Sequence, residues 1–457
     1  MSNHDGRFAI RDRVVRAASY LRGSNLGSVI IRSVAASSAV QIAAIIAVFV
    51  SSVQLARGLG VRGYGEYGIA MAIVTLGGIP AELGIPKLVL RETAAATALR
   101  DWPRFFGVLR WADRTCLRVS AVLVVAIIIG STAVLGTKNA AMMRAIALGI
   151  PIIPLLAMAR IQGAALQGLQ FVVLGQLAQT LFRPLLLALT LFVLYIAERF
   201  PSAAGAMALN SVTALVALVV NFIWLKKREP DRKEVTVIQD GRRWLSSSFP
   251  MALSEGMLQL QAQLSILMVG VFVGPHDVGL FRIAVSVVTF MVAPVVLLGA
   301  VTLPIYSRLY VEKDMDRLQR LCTRSTQLQF TAIFIISLPL LLDGGDILGF
   351  VFGQAYRGAF APMAISSIGF LVSAACGANS ELLNMTGHER RVTRAMSIGL
   401  ITNVVTMPLF VPLFGVGGAA LSLSIGTVAW NVIATADAFK LLHVNTTLIP
   451  LAVPRRA

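Results

Sequence analysis

The chain has 457 residues, of which 56% are hydrophobic and only 14% charged, and its mean hydropathy is +0.78. A water-soluble globule needs far more polar surface, so the composition points to lipid as the solvent. The net charge of +18 does not signal a nucleic-acid partner: the arginines sit in short clusters between apolar runs, the pattern of juxtamembrane anchors.

Residues 1–27 are polar and basic, with Arg7, Arg11, Arg13, Arg16 and Arg22, and read as a cytoplasmic tail compatible with an amphipathic helix on the membrane surface. The apolar segment that follows is too long for a cleavable signal. Spans are predicted at 28–56, 65–90, 106–135, 141–164, 170–197, 203–225, 246–273, 278–305, 325–342, 358–385, 394–413 and 416–440, twelve in all. Each is long enough to cross about 30 Å of hydrocarbon. The expected class is therefore an all-α integral membrane protein.

Orientation comes from the loops. Alternate connections carry Arg91, Arg100, Arg104, Arg110 and Arg114; Lys226, Lys227, Arg228, Arg232, Lys233, Arg242 and Arg243; Arg308, Lys313, Arg317, Arg320 and Arg324; and Arg390, Arg391 and Arg394. The opposite loops near 138, 198, 275, 345 and 414 are short and nearly uncharged. The positive-inside rule then places both termini in the cytoplasm, with Arg57 and Arg62 in the first outer loop as the exception.

The one long polar connector, 226–245, separates an N-lobe at 28–225 from a C-lobe at 246–440, followed by a cytoplasmic tail at 441–457. Six spans per lobe enter in the same direction, so the lobes are expected to be related by a pseudo-two-fold normal to the membrane. Weak self-similarity agrees. Gly65-Glu66-Tyr67-Gly68-Ile69-Ala70 aligns with Gly279-Leu280-Phe281-Arg282-Ile283-Ala284, and at the same offset Pro80 meets Pro294 and Gln41 meets Glu255. Leu166-Gln167-Gly168 resembles Met385-Thr386-Gly387, and Ala204-Gly205-Ala206 resembles Gly417-Gly418-Ala419, in the same order along both lobes.

Gly63-Tyr64-Gly65-Glu66-Tyr67-Gly68 matches the dinucleotide pattern G-x-G-x-x-G, but that pattern needs a βαβ unit. Here it is expected to be a turn at the membrane surface with two interfacial tyrosines. No P-loop, H-E-x-x-H or G-x-S-x-G occurs, so no ATP hydrolysis, no enzyme activity and no cofactor are expected. Cys116, Cys322 and Cys376 lack ligand spacing, and neither disulfide nor metal site is expected. The Asn445-Thr446-Thr447 sequon falls in the cytoplasmic tail and reads as chance.

Ionisable groups inside spans are costly and are functional candidates by default. Arg183 lies mid-way along the fifth span, directly before Pro184. Facing lipid it would cost about 2.5–3.5 kcal/mol, so it is expected to face a cavity or an acid. Ser248, Glu255, Gln259 and Gln263 form one helical face, and Ser33, Ser37 and Gln41 form another in the first span. These stripes read either as walls of a wet central cavity or as glue between helices. Glu82 lies toward the inner end of the second span, above Lys87 and Arg91, and reads as a local ion pair or as a functional acid. Arg57, Arg62 and Arg282 are placed near the outer face, as anchors or as guides for an anionic head group.

The segment from Leu55 to Ala94 resembles the signature of bacterial polysaccharide (O-antigen type) flippases, whose superfamily also holds the lipid II flippase and the multidrug and toxic compound extrusion transporters. The shared features are the basic glycine elbow, Tyr64-Gly65-x-Tyr67, Ala70, then Glu82-Leu83-Gly84 and Arg91-Glu92, with Gln167-Gly168 opening the fifth span. The resemblance implies a bacterial inner-membrane protein that moves an undecaprenyl-pyrophosphate-linked oligosaccharide between leaflets by alternating access around a cationic cavity. It also implies a monomer working beside a polysaccharide polymerase and a chain-length regulator. Diphosphate contact is expected at Arg183 and Arg282, with Gln41, Glu255, Gln259 and Gln263 as further cavity walls and Glu82 or Glu255 as coupling-ion candidates. Two alternatives stand beside this one. A multidrug or cation antiporter would favour embedded acids over arginines. A membrane polymerase or ligase acting on the same lipids would carry a large outer loop, which this chain lacks.

Overall fold

The computed structural model describes residues 26–449 except 83, 136–138 and 231–240, and gives only the backbone at 26–37, 134–135, 242–243, 245–255, 300 and 304. The described residues are overwhelmingly helical. The order is α1 (Leu26–Glu82), α2 (Ile85–Leu99), α3 (Trp102–Leu135), α4 (Ala140–Gly149), α5 (Ile152–Gly168), α6 (Val172–Leu177), α7 (Arg183–Ile196), α8 (Ala203–Lys226), α9 (Gly241–Phe272), α10 (Pro275–Met291), α11 (Ala293–Val311), α12 (Met315–Phe352), α13 (Phe360–Ala375), α14 (Asn379–Met385) and α15 (Glu389–Leu442). Nine helical stretches among the described residues are long and apolar enough to cross a membrane. Two of these, within α1 and α15, are bent at Gly60 and Gly415 and cross twice, and α9 supplies the remaining crossing of a twelve-helix, two-lobed fold.

The bend in α1 is forced by length and permitted by glycine. Its 57 residues would form about 86 Å of straight helix, far more than a bilayer needs. Gly60 takes φ 66° and ψ 174°, a conformation costly for any residue with a Cβ. The reversal thus sits before the G-x-G-x-x-G stretch, not in it. Gly63–Gly68 belongs to the second limb of α1, and Tyr64 and Tyr67 are buried rather than interfacial.

The internal repeat becomes concrete here. Gly274, the counterpart of Gly60 at an offset of 214 residues, also has a positive φ of 105° and opens α10. Gly65 and Gly279 make reciprocal contacts between the lobes. A Cβ at Gly65 would overlap the carbonyl of Pro275, and a Cβ at Gly279 would overlap the carbonyl of Val61, which is the counterpart of Pro275. Only glycine lets the two backbones approach this closely.

We call the end carrying Gly60 and Gly274 the elbow end and the other the basic end. At the elbow end the main core runs unbroken from Leu55, Tyr64 and Tyr67 into Phe281, Phe352 and Tyr356 of the other lobe. Polar contacts add to this seal. Arg57 donates from Nε to the carbonyl of Val351 at 2.8 Å, and from Nη2 to that of Phe350, at the C-terminus of α12 where carbonyls lack helical partners. The Tyr356 hydroxyl donates to the Ala56 carbonyl at 2.9 Å. At the basic end the C-lobe has a cluster of its own around Tyr306, Leu318, Leu382, Val392 and Ala438.

The described part of the expected C-terminal tail is not a loose end. After His443, whose φ of 54° ends α15, Val444, Asn445 and Thr446 are buried. Gln319 of α12 brackets Asn445 with two bonds of 2.7 Å, one donated to its carbonyl and one accepted from its N–H. Thr446 donates from its hydroxyl to the Cys376 carbonyl at 2.8 Å, and Leu448 N–H donates to that of Ala375. These are carbonyls freed by the break between α13 and α14, which membrane-embedded backbone must satisfy internally. The Asn445-Thr446-Thr447 stretch, expected to be incidental, is therefore a built strap. Residues 1–25, 450–457 and the middle of the 226–245 connector lie outside the described residues.

Candidate functional site: a cationic cavity between the lobes

Arg183 owes its position to the Arg-Pro pair. Pro184 has no N–H and its ring disfavours the preceding helical turn. The chain answers with a π-helical turn at Ala178–Phe182, in which the Arg183 N–H reaches back to the Ala178 carbonyl. Such turns re-aim side chains and recur at functional sites. Arg183 is turned toward the second limb of α1 and toward α8, where its Nη2 donates to Asn210 Oδ1 at 3.3 Å. Asn210 in turn donates to the Tyr67 hydroxyl at 3.1 Å. Ser51 lies beside the break, its hydroxyl 2.8 Å from the Ala47 carbonyl and 3.4 Å from that of Pro184.

Arg282 enters the same place from the C-lobe. Its guanidinium lies 4.8 Å from the ring centre of Tyr67 and 5.3 Å from that of Tyr64, within cation–π range. Gly68, the counterpart of Arg282 in the repeat, makes the room, since a Cβ there would stand 3.1 Å from Arg282 Cδ. Equivalent positions of the two lobes thus face each other, glycine on one side and arginine on the other.

Arg183 and Arg282 both line one cavity of about 190 Å³ with Ser51, Ser52, Tyr67 and Asn210. No carboxylate is among the described lining residues, and neither arginine forms an ion pair among the described residues. Arg183 Nε is buried without a hydrogen-bond partner. A buried donor left unpaired on a charged group is costly, and two cations sharing a small cavity repel each other. An anion would relieve both.

A second polar point lies toward the basic end. Glu82 ends α1, about 22 Å of helix below Tyr67, and accepts from Arg160 Nη1 of α5 at 2.8 Å. Gln259 of α9 completes a cavity of about 280 Å³ around this pair, so both lobes contribute to it.

Of the other residues expected at the site, Gln41 is half-buried and lines none of the cavities described above, and Gln263 is half-buried and likewise apart from them. The side chains of Glu255, Ser248, Ser33 and Ser37 lie outside the described ones. Sequence reasoning passed over Arg160, Asn210 and Glu381, although each falls within a predicted span, which was the available signal. Glu381 borders a third cavity of about 510 Å³ inside the C-lobe, with Gln261, Gln329, Asn379 and Asn431.

Residues 30–310 match the family model described as polysaccharide biosynthesis protein. The chain belongs to this family. No curated protein matches the sequence. Among solved structures, the fold is similar to that of the lipid II flippase MurJ in an inward closed conformation, at TM-score 0.68 and 12% identity over 88% of this chain and 87% of that one. It is similar to an inward-facing multidrug resistance MATE transporter of the MOP superfamily at TM-score 0.67 and 14% identity, covering 84% and 92%. An outward-facing MATE structure gives 0.62 at 12% identity, covering 88% and 93%. At such identities the likeness establishes the fold.

Proposed function

We propose that this polysaccharide biosynthesis protein is a flippase. It moves an undecaprenyl-pyrophosphate-linked oligosaccharide across the bacterial inner membrane, from the basic, cytoplasmic end to the elbow end, for surface polysaccharide such as O-antigen or exopolysaccharide. One observation carries the reading: Arg183 and Arg282, one from each lobe, converge on a single cavity whose described lining holds no acid. A diphosphate is the ligand such a site attracts, more strongly in a low-dielectric setting than in water. It bridges the lobes because it touches both, so binding and the rocking of one lobe against the other are coupled. A drug cation would meet two like charges here, which disfavours the antiporter reading.

The test is export. In a strain that relies on this chain, Arg183→Ala and Arg282→Ala are each expected to reduce surface polysaccharide at least tenfold at unchanged membrane abundance, about 1.4 kcal/mol of lost interaction or more. Export at the wild-type level in both variants removes the cavity from the mechanism.

A further inference from the structure

Below the outer arginines, the Glu82–Arg160 pair is built to be broken. Its side chains are 22% and 43% exposed. Arg160 is open to water and Glu82 stands on a cavity wall, so the pair is worth less than one in a dry interior. It sits in a cavity walled by both lobes, on the basic-end side of Tyr67.

We propose that Glu82 is a built-in stand-in for the substrate's phosphate, occupying Arg160 until a lipid-linked diphosphate displaces it. This rests on the flippase reading and adds a specific entry step. The diphosphate carries more charge than one carboxylate and offers several acceptor oxygens to the same guanidinium, so it wins the exchange. Gln259 is placed to donate to it from the C-lobe side. Displaced Glu82 stays in the wet cavity. Without phosphate the arginine is occupied and the cavity does not gather other anions. Glu82 therefore contributes selectivity at the expense of affinity.

Binding of farnesyl diphosphate and of inorganic pyrophosphate to the purified full chain in nanodiscs tests this. Glu82→Gln is isosteric and removes the competing charge, and is expected to tighten farnesyl diphosphate binding roughly fivefold. Arg160→Gln is expected to weaken it by a similar factor or more, Arg160→Lys less so. If the exchange runs through Arg160, the double variant matches Arg160→Gln alone. Equal tightening for pyrophosphate assigns recognition to the phosphates alone; tightening only for farnesyl diphosphate assigns it to the lipid-linked form. Either supports the exchange. Unchanged or weaker binding in Glu82→Gln overturns it. If that result comes with lost export in Arg183→Ala, the flippase reading survives and the exchange does not. If the wild type binds neither probe, the exchange falls, and the export test alone decides the flippase reading.

Discussion

The close approach of Gly65 and Gly279 makes a sharp prediction. In Gly279→Ala the new Cβ would stand 3.0 Å from the carbonyl carbon of Val61 and overlap its oxygen. The obstacle is backbone, which cannot swing aside as a side chain can, so α10 and the second limb of α1 must part by on the order of 1 Å. Overpacking of this kind costs about 1–3 kcal/mol. Alanine also raises helix propensity by about 0.8–1 kcal/mol. That gain is present whether the elbow end is sealed or open, because α10 stays helical in both, so it cancels from the equilibrium between them. The overlap exists only in the sealed state. The ratio of sealed to open protein should therefore fall by about 5- to 150-fold.

A cysteine placed at Ser52, on the wall of the cationic cavity, reports the change in a background lacking Cys116, Cys322 and Cys376. A membrane-impermeant maleimide added from the elbow side should label it markedly faster in Gly279→Ala, and likewise in Gly65→Ala. Gly78→Ala is the control, because a Cβ there meets nothing within 4 Å, and it should leave the rate alone. Labelling that stays at the control rate in both glycine variants would show that this contact does not hold the seal.

The same assay reads the polar latch. Tyr356→Phe removes one hydrogen bond to the Ala56 carbonyl, worth about 1 kcal/mol, and should raise elbow-side labelling about fivefold; Arg57→Ala should act in the same direction by uncapping α12. The C-terminal strap predicts a stability effect. Gln319→Ala removes two hydrogen bonds to buried backbone and should lower the thermal midpoint of the detergent-solubilised protein by several degrees, with about 2 kcal/mol lost. An unchanged midpoint would mean that the strap carries no load.

Much of the fold is legible because membrane constraints act on sequence directly. Span length follows from bilayer thickness, and the alternating basic loops follow from insertion. The alignment pairs Gly65 with Gly279, which pack reciprocally, but the role of these residues does not follow from it. A glycine required for a positive φ and a glycine required for close approach look alike in a sequence. The reversal was therefore expected at Gly63–Gly68, where the requirement is space, rather than at Gly60, where it is backbone conformation. Arg160 escaped notice because its partner Glu82 is 78 residues away, whereas Lys87 and Arg91 lie close by. The strap was overlooked because its signal is local turn chemistry. Asn445 Oδ1 accepts from both the N–H and the hydroxyl of Thr447, an Asx turn that tail-like composition disguised.

The repeat also explains why the site lies where it does. Two similar lobes about a common axis bring equivalent residues face to face along it, which suits reciprocal glycine contacts such as Gly65 with Pro275 and Gly279 with Val61. Identical charges at such positions would face each other and repel. One turn further in, the symmetry is broken: Gly68 stays small and Arg282 crosses into the space it leaves. The single cation then needs a counterpart from off the axis, and the π-helical turn before Pro184 delivers Arg183 from the flank. The seal at the elbow end adds backbone contact to an apolar core shared by both lobes, so opening it has to part that core as well. Immediately beneath it lie the two charges that an anion would bring together. On the proposed flippase reading, a ligand bound there touches both lobes beside the contact that opens, so binding energy can be converted into movement.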